Sequence, residues 1–377
     1  MRSLKSLLFL FLAFTSTLIS SAQTTLSDKA EITLLTCGPG NELYSVFGHT
    51  AIRVYDPGTG TDIVYNFGTF DFSTPNFYAK FTKGDLQYFV STSSYEDFVY
   101  TYVHYNRDVF EQVLNLTASQ KQAIADELNN TLLDDSKRFY TYKFIHRNCT
   151  TMVADILNKH LEQKISLENP DKGLTYREII FSRLDSHFFE NLGINIAFGM
   201  PTDETSAVLF LPNELMEGVG NTKTPRGSLE RRRINVYEAQ GEEPFSWWNN
   251  FYAFGAACLL LAAFSGKRAV QVGVVTLSGF MGLFLCVMML YSSHSEMLKN
   301  YNVLLLNPFA FLLLFHMLRG NQRQVITTCR SLMAFIAVYL VFMYNKPHLF
   351  MMLPLILLIG VAYFRIMLIT KRDLPNN

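Results

Sequence analysis

Two short polar motifs stand a hundred residues apart, Phe47-Gly48-His49-Thr50 and Arg147-Asn148-Cys149-Thr150. A cysteine that opens a helix lies where unpaired backbone N–H groups and the helix dipole favour an anion. The thiolate is the nucleophilic form, and Arg147 adds positive charge to the same end. A histidine entering a neighbouring strand can take the thiol proton and later return it to a leaving group. A third polar group must hold the imidazole in the productive tautomer. Asn66, in Val64-Tyr65-Asn66-Phe67, lies on the strand expected to pair with that of His49. Asp62 and Asp71 compete for this role, because sequence alone does not set hairpin register.

Plainer readings of the same residues exist. Of the five cysteines, Cys258, Cys286 and Cys329 lie in or beside the C-terminal apolar segments, and a disulfide between the other two, Cys37 and Cys149, is chemically possible in an oxidising compartment. A histidine such as His49, taken alone, reads as a satisfied core residue. A lone cysteine in an apolar helix is usually core as well, but Arg147, Asn148, Thr150 and Thr151 make a poor core context. Asn148-Cys149-Thr150 also fits a glycosylation sequon, a pattern too common to weigh. His104, His160 and His187 lack comparable surroundings, whereas His146 is close enough to compete. No Cys-x-x-Cys or His-x-x-x-His pattern suggests a metal, and no cofactor is implied. With 32 basic and 32 acidic residues, net charge gives no reason to expect nucleic acid.

The elements that must position these groups read as an α+β domain. Residues 31–36 form a short strand ended by Cys37-Gly38-Pro39-Gly40. Residues 49–55 and 62–67 flank Asp56-Pro57-Gly58-Thr59-Gly60, dense turn chemistry that predicts a hairpin. A third strand is expected over 86–91. Apolar stripes of helical period run over 94–105 and 118–133, with Thr117 as N-cap of the second. Residues 149–161 place Met152, Val153, Ile156, Leu157 and Leu161 on one side, with Asn148 in capping position. A helix over 173–191 and a last strand over 206–211 complete the domain.

The flanks place this domain at a membrane. Arg2 and Lys5, an apolar run from Leu7 to about Ile19, and Ser20-Ser21-Ala22 have the layout of a signal peptide over 1–22; an uncleaved anchor is the alternative. No cysteine follows the run, so the chain does not read as a lipoprotein itself. Residues 23–217 form the exported domain. Residues 218–245, with Lys223, Arg226, Arg231, Arg232 and Arg233, read as a linker, either solvated or facing anionic lipid. Apolar stretches at 247–265, 269–291, 303–318, 331–344 and 349–369 predict a membrane domain over 246–370 with five spans, or four. A tail over 371–377 follows. Lys267 and Arg268, then Arg319, Arg323 and Arg330, then Lys371 and Arg372 collect in alternate connections. By the positive-inside rule those connections and the C-terminus are cytoplasmic, and the first domain is outside.

The order of histidine on a strand, then cysteine at a helix start, resembles the circularly permuted papain-like proteins, including the NlpC and lecithin:retinol acyltransferase groups. More specifically, Thr36 through Val54, Val64 through Phe72, and Arg147-Asn148-Cys149-Thr150 resemble the periplasmic domain of the Lnb-type lipoprotein N-acyltransferases. His294 and the run from Asn300 to Pro308 resemble that family's membrane-domain signature. The resemblance implies a permuted papain-like exported domain followed by an all-α bundle of about five helices in the bacterial inner membrane. It implies transfer of a fatty acyl chain from a phospholipid donor, through a thioester on Cys149, to the α-amine of a lipoprotein's lipidated N-terminal cysteine. His49 would be base and then acid, and N–H groups at the start of the Cys149 helix would be oxyanion donors. Arg53, Arg147, Asn148 and Thr150 would support the site. His294, Glu296, Asn302 and Asn307 would lie on the external side, where they could shape a lipid entrance or hydrogen-bond a loop. A Cys-His hydrolase, either phospholipase or cell-wall amidase, is the competing enzyme, and a non-enzymatic envelope assembly protein is the competing binding role.

Overall fold

In the computed structural model, which describes residues 25–241 and 246–373, seven strands form one antiparallel sheet. They are β1 (Glu31–Cys37), β2 (His49–Asp56), β3 (Thr61–Thr69), β4 (Gln87–Ser94), β5 (Val109–Leu114), β6 (Phe139–Thr141) and β7 (Glu230–Tyr237). Their order across the sheet is β6-β4-β3-β2-β1-β5-β7. The expected hairpin is β2–β3, and its turn is built by Asp56, whose carboxylate accepts from the Gly58 N–H at 2.9 Å. Its register sets Ala51 opposite Asn66, while β1 sets Cys37 opposite His49. The signal peptide expected over 1–22 lies outside the described residues.

The longer helices of this half are α1 (Phe77–Lys83), α2 (Tyr95–His104), α3 (Ala118–Leu133), α4 (Cys149–His160), α5 (Tyr176–Ser182), α6 (Phe188–Ala197) and α7 (Pro212–Asn221). Alternation along the strands sends Ile32, Leu34, Ile52, Val54, Tyr65 and Phe67 against α3 and α4. It sends Leu35, Cys37, Ala51 and Val64 against α2. Both faces of the central strands are therefore covered, which is why β1 is almost wholly buried. Thr117 caps α3 in a reciprocal capping box with Gln120, as its sequence position predicts.

Three expectations fail here. The single helix over 173–191 is two, α5 and α6, separated at 183–187. Residues 206–211 form no strand, because the N–H groups of Phe210 and Leu211 go to the Glu214 carboxylate at 3.1 and 2.9 Å. The stretch 218–245 is not simply a linker, since it holds the end of α7, a two-residue ribbon and β7, the edge strand beside β5. Its arginines decorate that edge, where charge discourages further pairing: Arg233 reaches Glu217 and Glu230, each at 2.9 Å, and Arg231 reaches Glu31.

The C-terminal half is helical: α8 (Phe251–Ala263), α9 (Arg268–Tyr291), α10 (Ala310–Leu318), α11 (Gln322–Met343) and α12 (Leu349–Arg372). Of these, α9, α11 and α12 are long and apolar enough to cross a membrane. The third expected segment, 303–318, is helical only from Ala310. A 3-10 turn at Tyr301–Leu304 precedes it, and Asn307 accepts the Phe309 N–H at 2.9 Å. The fourth begins at Gln322 rather than 331, which puts Arg323 and Arg330 on the helix, because Asn321 caps it through the Gln324 N–H.

A polar seam fixes the sheet domain to this bundle. Asn300 donates to the carbonyls of Ile196 and Ala197, each at 2.8 Å, and Asn302 to those of Asn195 and Ile196, each at 3.0 Å. The fully buried Arg177 ties α5 to Asp203 at 2.7 Å and to the end of α6. The Gly199 N–H donates to Glu296 O at 2.7 Å beside these contacts, and elsewhere the Ser293 N–H donates to Lys83 O at 2.7 Å.

Candidate functional site

Cys149 and His49 come together where the start of α4 meets the start of β2. Asn148 is the N-cap, and every polar group of its buried side chain is used. Its Oδ1 accepts from the Thr150 and Thr151 N–H groups at 2.9 and 3.0 Å, and its Nδ2 donates to Phe144 O and Phe210 O at 2.6 and 2.9 Å. Asn148 thus builds the helix start, and the sequon reading has no free amide to work with. The same capping takes two N–H groups expected as oxyanion donors and leaves that of Cys149 itself at this end.

The Phe47-Gly48-His49 motif has a backbone reason. Gly48 sits at φ +82°, and a Cβ there would lie 2.5 Å from Cys37 O. Only glycine admits the chain into β2 at this angle. Gly68, at φ +99° beside an irregularity in the β3–β4 ladder, lies against the nucleophile; a Cβ there would stand 3.6 Å from that of Cys149.

The sulfur is half-buried and free. Burial pushes the Cys149 thiol up, but the facing charge and hydrogen bond of His49, the Thr50 N–H and the Thr150 hydroxyl outweigh it. The thiol is held below its ordinary range as a result. The Thr50 and Thr150 hydroxyls meet at 3.0 Å and lock β2 to the first turn of α4.

Asn66 faces the imidazole, with its Oδ1 3.4 Å from His49 Nε2 and its Nδ2 3.3 Å from Ser93 Oγ. An amide oxygen only accepts, so Nε2 carries the proton and Nδ1 keeps the lone pair that can take a proton from the thiol. The 3.4 Å contact is long, as is common before substrate tightens such a site. The other candidates sit elsewhere. Asp62 is taken by Arg53 in a two-pronged pair at 2.7 and 2.8 Å, and Arg53 also reaches Glu111 at 2.8 Å. Arg53 shares a face of β2 with His49 but braces the sheet, stacked 3.4 Å over Tyr95. Asp71 is exposed in a turn with Ser73. Arg147 is exposed, its guanidinium 5.5 Å from the Tyr140 ring, and His146 points to solvent edge-on to Tyr176.

Cys37 is also free, so the disulfide reading fails. Its buried thiol hydrogen-bonds Tyr102, and burial pushes it well above the ordinary range. Tyr102 in turn stacks beside the His49 ring at 6.4 Å, tilted by 12°. Tyr102, Ser93 and Thr50 were not expected here. Tyr140 was not either: it is buried, its hydroxyl finds no acceptor for its proton, and it would lie 3.9 Å from a Cβ on Gly68. A tyrosine in a three-residue strand carries no local signal of such a place.

The membrane-side candidates belong to the seam. Asn302 is wholly buried and accepts from the Tyr339 hydroxyl at 2.8 Å; Asn307 is buried in its own turn. His294 donates to Phe81 O at 2.9 Å, and the Glu296 side chain accepts from the Ile145 N–H at 3.2 Å. Their contacts are those of a held loop.

Fold and site together define a class: an α/β domain with a cysteine–histidine pair at one end of its sheet, fixed to a helical membrane bundle. Residues 21–181 match the family model described as the Lnb N-terminal periplasmic domain, and residues 250–373 match that of the Lnb transmembrane domain. The two together cover well over half of the chain, which therefore belongs to the Lnb family. No curated protein and no solved structure matches it.

Proposed function

We propose that this chain is a lipoprotein N-acyltransferase of the bacterial inner membrane, with a permuted papain-like domain in the periplasm, five spans and a cytoplasmic C-terminus. The observation that carries this reading is the chain of contacts from Cys149 to His49 to Asn66, seated on a domain bolted to a membrane bundle.

In the first half-reaction His49 Nδ1 takes the thiol proton, and the Cys149 sulfur attacks an ester carbonyl of a phospholipid. The C–S bond forms as the carbonyl π pair moves to oxygen. The N–H of Cys149 and the O–H of Tyr140, which has no acceptor of its own, are the donors best placed to meet that oxyanion. Collapse expels the lysophospholipid alkoxide, which takes the proton back from His49 and leaves a thioester. In the second half the α-amine of a lipidated N-terminal cysteine attacks the thioester. The amine's extra proton goes to His49 and then to the departing thiolate, so an amide forms and free Cys149 returns. Asn66 holds the imidazole for both proton transfers, and Asn148 and Thr150 hold the nucleophile. The membrane bundle suits a reaction whose donor and acceptor are both lipids.

Mass spectrometry of cellular lipoprotein N-termini tests the reading. Replacing the wild-type protein by the Cys149→Ala variant should leave the N-terminal amine free while the variant accumulates normally. Unchanged N-acylation would contradict it.

A further inference from the structure

Between the thiol and the outer end of α9 runs an unbroken series of aromatic rings. Tyr88 is buried 6.3 Å from Tyr140, and Tyr140 reaches the nucleophile's side of the sheet: a Cβ on Gly68 would stand 3.9 Å from the Tyr140 hydroxyl and 3.6 Å from the Cys149 Cβ. Phe70 stands 5.2 Å from Tyr88, and Phe77 stands 5.8 Å from Phe70 and 4.9 Å from Phe72. Phe81 stacks on Phe77 at 6.5 Å and meets His294 at 6.3 Å, just past the last residue of α9. Tyr44 closes one side, 5.9 Å from Phe70. The inner rings, Tyr88 with Phe70 and Phe77 against it, are packed, but the outer ones lie open: Tyr44 is 64% exposed, Phe72 58% and Phe81 39%, and α1 has no buried residue. A contiguous apolar patch of this kind is costly in water and marks a place that something apolar covers.

Its placement says what. The helix α1 is tied down at the bundle's outer end, where the Ser292 hydroxyl and the Ser293 N–H donate to Thr82 O and Lys83 O at 3.1 and 2.7 Å. Lys83 lies 5.0 Å over the ring of Tyr291, the last residue of α9. One end of the ring series is thus continuous with the bilayer-facing bundle, and the other is continuous with the nucleophile. Lys80 and Lys83 rim the bilayer end, where a phosphate headgroup would sit. An ester carbonyl delivered to the sulfur must trail its hydrocarbon chain somewhere, and this is the apolar surface that leads from the sulfur back to lipid.

We infer that this ring series is the subsite for the acyl chain of the phospholipid donor. The inference rests on the acyl-transfer reading for the chain's destination, but lipid occupancy can be measured without turnover. The full-length Cys149→Ala variant in phosphatidylethanolamine nanodiscs would carry a trace of phosphatidylethanolamine with a diazirine midway along one acyl chain. After irradiation, adducts should fall on peptides holding residues 70–81. They should drop at least fivefold when Phe72→Ala and Phe77→Ala are added. Iodoacetamide labelling of Cys149, in the same double variant with the native cysteine, should be unchanged, which shows the site is still folded. Adducts confined to α8–α12, equal yield in the double variant, or labelling of these peptides by a diazirine diacylglyceryl lipopeptide but not by the phospholipid would each overturn the inference. Failure of lipoprotein N-acylation with the adducts still on residues 70–81 would count against the transfer reading and leave the lipid subsite standing.

Discussion

The buried arginine of the seam and the catalytic end of the sheet use their polar groups in opposite ways. At the seam, Arg177 is 1% exposed and spends all its nitrogens: Nε on Asp203, Nη1 on Asn195, and Nη2 on Phe198 O and Gly199 O at 3.0 and 2.8 Å. At the catalytic end, the His49–Asn66 contact is long, the Cys149 sulfur is half open and the Tyr140 hydroxyl has no acceptor for its proton. A saturated buried charge holds the segments around it rigidly but has nothing left to offer a substrate. Unsatisfied groups cost stability, and they are the ones able to meet a charge that appears only during reaction.

The largest expected effect is at the catalytic end. His49→Ala should lower acyl transfer by about 10²–10⁴-fold, the usual share of a general acid–base. The thiol should lose its largest helper, so the pH midpoint for iodoacetamide labelling of Cys149 should rise from below that of an ordinary thiol to above it. A midpoint that does not move would break the pairing of these two residues. At the seam, Arg177→Met should leave Asp203 buried beside fewer partners and cost about 3–5 kcal/mol, read as a lower melting temperature, with the labelling midpoint of the folded fraction unchanged. Tyr140→Phe should reverse that pattern: kcat falls by about 10²–10³-fold, as for loss of an oxyanion donor, while KM and melting temperature hold steady. Tyr140→Phe with full activity would return that hydroxyl to a packing role.

The smallest expected effect is from Glu214, which is neither at the seam nor at the thiol. Burial pushes its carboxyl up to about 7, although it accepts the Phe210 and Leu211 N–H groups. The folded state then holds a proton that the unfolded chain has already released between about pH 4.3 and 7. Stability should therefore fall as pH rises through that window, by on the order of 2–3 kcal/mol. Glu214→Gln should flatten this dependence, since its side-chain oxygen can still accept both N–H groups. A melting temperature with the same pH slope in both proteins would show that another group is responsible.

What was legible in the sequence was what short-range chemistry writes. The capping Asn148, the cap at Thr117 and the β2–β3 hairpin each depend on residues a few positions apart. The hairpin turn put Asn66 on the strand beside that of His49, and its register then separated Asn66 from Asp62, which faces Arg53. Tyr102 and Tyr140 were invisible because they arrive from a helix and a three-residue strand whose placement depends on the whole sheet. The strand β7 was misread because an edge strand tolerates the charges that elsewhere mark a linker. The start of α10 was misread because hydropathy does not register the turn at Asn307-Pro308.

The most direct test asks whether Cys149 carries the acyl group. Purified full-length protein in nanodiscs containing a phospholipid with isotopically heavy acyl chains should acquire one heavy acyl mass on the peptide holding Cys149, and hydroxylamine should remove it. The Cys149→Ala variant should acquire none. A wild-type protein that transfers or hydrolyses the heavy chain without ever bearing it on Cys149 would contradict the account.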